Sequence, residues 1–437
     1  MIKRLFFFIM TLALLLSACT DNDSFTTDRS HRLTFQSDTI RLDTLFSAVP
    51  SVTYGFWVHN HSGDGVRIST VRLEHGNQTG FRVNVDGSFL NPVAQDLEVR
   101  QGDSLLVFIE ITSRENGLLE PQLVEDNLLF TLESGVEQRV NLRTWSWDAE
   151  KLTDLVVDHD MTIESERPVV VYGSGISVAE GAVLTLRNTQ LFFHDEAGLQ
   201  VKGQLVAEDC LFRGDRLDHM FSYLPYDRVS GQWRGICVQN EGSYCTMTRC
   251  EVRNAWDAIR ADSTRVELYD CVLHNNRGYG LYAANSDVVL SHCQLSNAEG
   301  DCLSLHGSTA QVDHCTLAQF YPFVGERGAA LRFAAADRPL SLQCSNTLVT
   351  GYEDDVLMGT ERNGETVSYR FVNCVLRTPE VDDVEAFQDI IWEKSTDEVQ
   401  GKQHFLVVDE ENLYYDFRLD TLSTALKHDI GRITQIE

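Results

Sequence analysis

The chain is 437 residues long, 43% hydrophobic, with 65 acidic against 36 basic side chains and a net charge of −29. Such a charge repels nucleic acid and anionic lipid headgroups, so no nucleic-acid partner is expected, and a polyanionic ligand would need a local basic patch or bound cations. The length points to two domains, and beyond the N-terminus no apolar run is long enough to cross a bilayer.

Residues 1–18 carry Lys3 and Arg4, then the apolar run LFFFIMTLALLL, then small residues before Cys19. This is the layout of a signal peptide, too short to stay as a spanning helix. Leu16, Ser17, Ala18 and Cys19 resemble a bacterial lipobox. The resemblance implies cleavage before Cys19 and acylation of that residue, each buried CH₂ adding about 0.8 kcal/mol of anchoring. Cleavage removes two cations and no carboxylate, which deepens the net charge to −31. Residues 19–32 are polar and read as a lipidated flexible tether. Asp21 and Asp23 are similar to the surface-export signals of some outer-membrane lipoproteins. An outer membrane lipoprotein is therefore expected, periplasmic or surface-exposed, with the membrane as its partner through the lipid anchor.

Between residues 33 and 148 short segments alternate apolar and polar residues: VTYGFWVHN from Val52, VRISTVRLE from Val66, SLLVFIEIT from Ser104, DNLLFTLE from Asp126 and VEQRVNLRTW from Val136. Roughly seven strands of this kind suit a β-sandwich of immunoglobulin-like size. FRVNVDGS from Phe81 and DSLLVFIEIT from Asp103 resemble the N-terminal Ig-like domain of a group of exported bacterial lipoproteins, which implies a spacer, a contact module or a stabilising cap. His59 and His61 read as a polar turn between strands rather than as metal ligands.

From residue 152 to about 430 the sequence counts in coils. A tripeptide recurs at 189 (TQL), 210 (CLF), 250 (CEV), 271 (CVL), 293 (CQL), 315 (CTL), 346 (NTL) and 374 (CVL), in steps of 21, 40, 21, 22, 22, 31 and 28 residues. A second phase keeps step with it (GICVQ, AIRAD, GLYAA, CLSLH, ALRFA, VLMGT), and a third does the same (VELYD, VVLSH, AQVDH). Three short strands per period of about 22 residues make one coil of a parallel β-helix. The long step holds a loop inserted over 213–235. These motifs resemble the right-handed parallel β-helix superfamily of pectate lyases, polygalacturonases and alginate lyases. The expected fold class is thus all-β, an Ig-like β-sandwich followed by a right-handed parallel β-helix with a C-terminal cap. Asn254, Asn275 and Asn297 resemble the asparagine ladder inside a β-helix corner. The tail YDFRLDTLSTALKHDIG, 415–431, resembles the closing segment of exported β-helix proteins, with Thr424 where proline is usual, and is expected to cap the last coil. The recurring cysteines, with Thr189 and Asn346 filling two places, read as small apolar side chains stacked inside the coil.

The resemblance places ligands on an outer face and its loops. Outward stacks in the second phase run Cys237, Arg260, Tyr282, Ser304, Arg332, Met358 and Gln239, Asp262, Ala284, His306, Ala334, Thr360. The corner before them carries Arg234, Asp257, Tyr279, Asp301, Ala329 and Asp355. Asp257, Arg260, Asp262, Tyr279, Tyr282, Asp301, His306 and Arg332 are accordingly candidate ligand-binding residues on one patch, the tyrosines for pyranose stacking and the charged groups for hydroxyls. Catalytic candidates within it are Arg260, Tyr282, His306 and Arg332: a lyase needs a base, His306 or Tyr282, and an arginine or Ca²⁺ to hold the anion. No other cofactor and no metal site is indicated; His292, His314 and Asp270 read as a surface ladder. EGDCLSLHG, 299–307, is similar to a polygalacturonase segment, but only Asp301 of its paired aspartates is present, against hydrolysis by two carboxylates.

Three functions follow, in this order: binding of a polysaccharide or other surface component without catalysis, lyase action on uronate-containing glycans, and a structural or adhesive role toward an envelope protein partner.

Overall fold

A computed structural model describes residues 24–360, 366–393 and 400–432; the expected signal peptide and Cys19 lie outside the described residues. The chain divides into two compact units, Met1–Asp148 and Ala149–Glu437.

Period-two alternation builds the first unit. In Tyr54–His59 the side chains of Phe56 and Val58 are buried, and in Ser104–Ile111 those of Val107 and Ile109 are buried, while their neighbours face water. Strands with one wet face pack sheet on sheet. One sheet has five strands, in the order Thr34–Phe35, Tyr54–His59, Ser104–Ile111, Phe81–Val85, Ser88–Phe89; the other has seven, centred on Gly65–Leu73, Gln122–Leu132 and Glu137–Trp147. Phe56, Val83 and Ile109 from the first meet Ile68, Phe130 and Val140 from the second in one core. The strand count exceeds the expected seven because Val93–Val99 alternates weakly and several edge strands are only two or three residues long. Within the stretch expected to be a flexible tether, Phe25–Thr26 pairs with Gly65 and Val66, and the Arg67 guanidinium lies 4.5 Å from the Phe25 ring centre. One aromatic in a polar stretch suffices to dock it, which composition does not register.

The second unit is a parallel β-helix whose coils begin at Glu150–Val157. One corner sets its geometry. In eight successive coils a residue takes the left-handed conformation: Asn188, Asp209, Arg249, Asp270, His292, His314, Asn346 and Asn373, with φ between 47° and 55°. Asn, Asp and His tolerate that conformation best among residues with a side chain. The next residue is always Thr or Cys, and its hydroxyl or thiol donates to the carbonyl two residues back. The distance is 2.6 Å for Thr189, 3.3 Å for Cys271, Cys293 and Cys315, 2.7 Å for Thr347 and 3.4 Å for Cys374. The expected place of Asn346 in this row belongs to Thr347, which accepts the Cys315 N–H at 3.3 Å; Asn346 is the left-handed corner residue. All ten described cysteines are free. Burial pushes the thiols of Cys245, Cys293 and Cys302 up, so they stay neutral and packed. A second corner uses the same device, with Ser286 and Ser308 donating to the carbonyls of Ala284 and His306.

Asn254, Asn275 and Asn297 form the expected internal ladder. All three have positive φ and are buried; the Asn275 amide donates to Asn254 at 3.1 Å, and Asn297 accepts the Phe320 N–H. The inserted loop leaves the coil at this corner, after Leu211–Gly214 and before Trp233–Gln239.

The tail does not close the end of the coil. Phe405–Asp409 and Tyr414–Leu419 form a hairpin along the flank, where Phe405 and Phe417 pack on Ala318, Phe320, Leu348 and Val375. Arg432 reaches the carbonyl of His292 at 3.0 Å. The reason is the flank itself, where outward Ala318, Phe320, Leu348 and Val375 are apolar and need cover. The end is filled instead by Phe333, Tyr369, Phe371, Phe387 and Trp392. Thr424 is the first residue of a short helix capped by Ser423, a position where proline is also well tolerated.

His274 lies beneath this strap, its ring 5.9 Å from that of Phe417 and its Nδ1 2.9 Å from the Ser296 hydroxyl. Burial, reinforced by the charge of Arg253, depresses its pKa to about 4. Below the unfolded-chain value of about 6.5 the unfolded state takes up a proton that the folded state refuses, so stability is lost as pH falls from there toward 4, by about 3 kcal/mol at most. Urea denaturation at pH 7.5 and 4.5 is expected to show this loss, reduced in His274→Gln.

Candidate functional site

The patch is built by register. Ile259, Leu281, Leu303 and Leu331 point into the core of Ala255–Asp262, Leu281–Ala284, Leu303–His306 and Leu331–Ala334, so the residue after each starts outward. Arg260, Tyr282, Ser304 and Arg332 pair coil to coil, as do Asp262, Ala284, His306 and Ala334. At the preceding corner the N–H groups of Ala258, Gly280 and Cys302 donate to the carbonyls of Tyr279, Asp301 and Ala329, which stacks Asp257, Tyr279 and Asp301 as well.

Seven of the eight candidates form one connected row. Asp257 accepts the Tyr279 N–H at 2.9 Å and faces Arg260 at 3.5 Å. The Arg260 guanidinium lies 4.3 Å from the Tyr282 ring centre, and the Tyr282 ring lies 5.1 Å from those of Tyr279 and His306. The His306 Nε2 is 3.1 Å from the Ser304 hydroxyl, which donates to Asp301 at 2.8 Å. Asp301 also accepts the Arg332 Nε–H at 2.8 Å and the Ala329 N–H at 2.8 Å. Asp262 stands apart, exposed, with the hydroxyl of adjacent Ser263 on its carboxylate.

This geometry revises three expectations. Ser304 is fully buried rather than outward, because Asp301, His306 and Arg332 close over it. Asp301 is 4% exposed and its carboxylate is committed to three donors, so it is a structural anchor and offers no free acid. Tyr282 lies between Arg260 and His306, which engage its ring and leave little of it for a sugar. The Ser304 proton goes to Asp301, so His306 donates from Nε2 and keeps a lone pair on Nδ1. Burial lowers its pKa, which keeps the ring neutral near pH 7. Burial raises that of Tyr279, whose hydroxyl stays protonated.

Two contributors escaped the sequence reading. Trp256, beside Asp257, is 47% exposed with the Arg277 guanidinium 4.7 Å from its ring centre. Gly278 lets Asp257 reach the backbone, since a Cβ there would lie 2.0 Å from its Oδ1. The recurrence of glycine just before a corner residue, at Gly278, Gly300 and Gly328, was the available signal. A lone indole carries none.

Asp257 and Asp301 each face an N–H and a guanidinium, whereas Asp262 faces only the Ser263 hydroxyl. Among the described residues no three His, Cys, Asp or Glu are placed to hold a metal ion. His292 and His314 stack 4.9 Å apart beside a groove of about 1180 Å³ along the left-handed corner, where His314 is held by Asp313 at 2.8 Å.

Asp301→Ala would strand the buried Ala329 N–H and leave Arg332 without its partner, and is expected to destabilise the β-helix by about 3 kcal/mol. Asp262→Ala should stay within about 0.5 kcal/mol of the parent. Urea denaturation of the two variants measures the difference.

Residues 159–317 match the family model described as the right handed beta helix region. No curated protein matches the chain. Among solved structures it is similar to a family 123 glycoside hydrolase from Clostridium perfringens, at 9% identity and TM-score 0.20 over 29% of this chain and 30% of that one. It is similar also to a PapD-like domain of human CEP192, at 12% identity and TM-score 0.19 over 30% of this chain and 95% of that domain. A third is the catalytic unit of the GH87 alpha-1,3-glucanase of Streptomyces thermodiastaticus strain HF3-3, at 7% identity and TM-score 0.16 over 78% and 88%. Likenesses of this strength bear on neither activity nor ligand. What the family match and the parallel register establish together is a right-handed parallel β-helix, which follows the β-sandwich formed by the two sheets of the first unit.

Proposed function

We propose that the chain is a lipid-anchored envelope protein of the outer membrane whose β-helix holds an acidic polysaccharide along the Arg260 to Arg332 row without turning it over. The anchor rests on the lipobox-like residues 16–19. The binding reading is carried by one observation: across four successive coils Arg260, Tyr282, His306 and Arg332 face outward while the carboxylates of Asp257 and Asp301 are tied down. Arg260 is about half exposed and Arg332 a third exposed, whereas Asp257 and Asp301 are largely enclosed. In a chain of net charge −29, two guanidiniums that stand more exposed than the carboxylates they pair with favour carboxylated sugars. Trp256 adds an exposed ring at its edge.

A lyase is the second reading, favoured by the neutral His306 ring. Such an enzyme would use the Nδ1 lone pair to take the proton beside a uronate carboxyl, with Arg332 holding the developing anion. The Asp301 carboxylate, committed to three donors, is not free to serve as the acid that protonates the leaving oxygen, which is why binding is preferred.

One experiment separates the two. The purified chain is run on affinity gels containing pectin, alginate or a glycosaminoglycan, and unsaturated-uronate absorbance is followed in parallel. Retardation by at least one acidic glycan is expected, weakened about tenfold or more in Arg260→Ala with Arg332→Ala, and with no growth of absorbance. Absorbance that grows and is abolished by His306→Ala would establish the lyase, and absence of any binding would sink both.

A further inference from the structure

The outward face of the five-stranded sheet in the first unit carries large aromatic side chains that no packing in that unit explains. Trp57 is 47% exposed, Phe108 41% and Phe89 73%. Their arrangement follows from register. Gly55, Phe108, Asn84 and Phe89 stand opposite one another on four adjacent strands, and Trp57 lies two residues beyond Gly55, opposite Leu106. Gly55 matters for lack of a side chain: an edge of the Phe108 ring leans over it, 3.5 Å from where a Cβ would stand. The result is a low row of rings, with Phe108 and Phe89 one strand apart from contact, roughly 10 Å between their strands.

The border of this row is polar. At one end Glu110 accepts hydrogen bonds from Thr53 at 2.6 Å and from Arg82 at 3.1 Å, and Arg82 also donates to Thr112 at 2.8 Å. At the other end His59 stacks between Trp57 and His61, at 6.4 and 5.3 Å. Arg82 and Glu110 are the only Asp, Glu, Lys or Arg side chains on the outward positions of Tyr54–His59, Phe81–Val85, Ser88–Phe89 and Ser104–Ile111, and they neutralise each other. A charge-neutral face on a chain of net charge −29 selects a neutral ligand.

Planar rings separated by hydrogen-bonding groups, with a single aliphatic residue, Leu106, among them, match the chemistry of a pyranose. The sugar offers an apolar C–H face to an aromatic plane and a rim of hydroxyls to groups such as the Asn84 amide. An apolar protein partner would call instead for the contiguous aliphatic surface of an interface core. The rings of Phe108 and Phe89 are spaced to meet alternate residues of an extended chain, with Asn84 between them. We infer that Trp57, Phe108 and Phe89 form a platform for a neutral pyranose polysaccharide. This site is distinct from the arginine row of the β-helix and does not depend on it.

The test uses the purified full chain on affinity gels containing soluble glucomannan, mixed-linkage β-glucan or xyloglucan. Retardation by at least one of them is expected. Trp57→Ala should weaken it about tenfold or more, and Phe89→Ala, at a position too exposed to threaten folding, about fivefold. Arg260→Ala with Arg332→Ala should leave it unchanged, while Trp57→Ala should leave any binding to acidic glycans unchanged. Failure of all three neutral glycans to retard the parent chain would overturn the proposal, as would retardation that survives Trp57→Ala combined with Phe89→Ala. Sedimentation showing self-association that the same double variant abolishes would assign the face to a second copy and equally overturn it.

Discussion

The second unit depends on one local bond repeated down its length: a thiol or hydroxyl donating to the carbonyl two residues back, just after a residue held in the left-handed conformation. That pair turns the chain by a fixed angle and delivers the following strand in the same register each time. A coil lacking it would be free to slip, and a slip of one residue moves every outward side chain inward. Cysteine and threonine suit the position because both are short enough to stack at the spacing of adjacent strands while carrying a donor. The thiol serves here as a short donor, and at Cys293 burial holds it neutral.

Register fixed in this way lines up the site. Arg260, Tyr282 and Arg332 do not converge because a loop gathers them; they converge because each follows a core residue on a coil stacked in phase with the next. The face then becomes rigid through its own polar chain, from Arg332 through Asp301 and Ser304 to His306. Each link desolvates the next, which is why the imidazole stays neutral and the carboxylate unavailable. The outward flank of the cysteine strands mixes apolar Ala318, Leu348 and Val375 with Thr350 and Glu393 in its later coils, and the C-terminal segment covers both, with Phe405 and Phe417 on the first and His404 on Glu393.

Much of this was legible in the sequence, for a physical reason: a β-helix repeats its requirements every coil, so spacing alone exposes the corner, the strand order and the two outward stacks. Legibility failed where a feature occurs once. Asn346 and Thr347 both resemble ladder residues, and only the bond from Cys315 decides between them. The burial of Ser304 depends on three neighbours from two coils, and Phe25 docks through a single ring. Trp256 has no periodic partner at all. Sandwich strands of two residues leave no alternation to read, although the aromatic row on that sheet, Trp57, Phe108 and Phe89, becomes visible as a row only when pairing is known.

If the corner bond rather than mere packing holds the coils, then shape and donor must separate at one ladder position. Cys293 allows the comparison, since threonine and valine have nearly the same shape and differ in the hydroxyl. Urea denaturation should find Cys293→Thr more stable than Cys293→Val by about 1 kcal/mol. Valine equal to threonine, or better, would contradict the account and reduce the cysteine row to a stack of small apolar side chains.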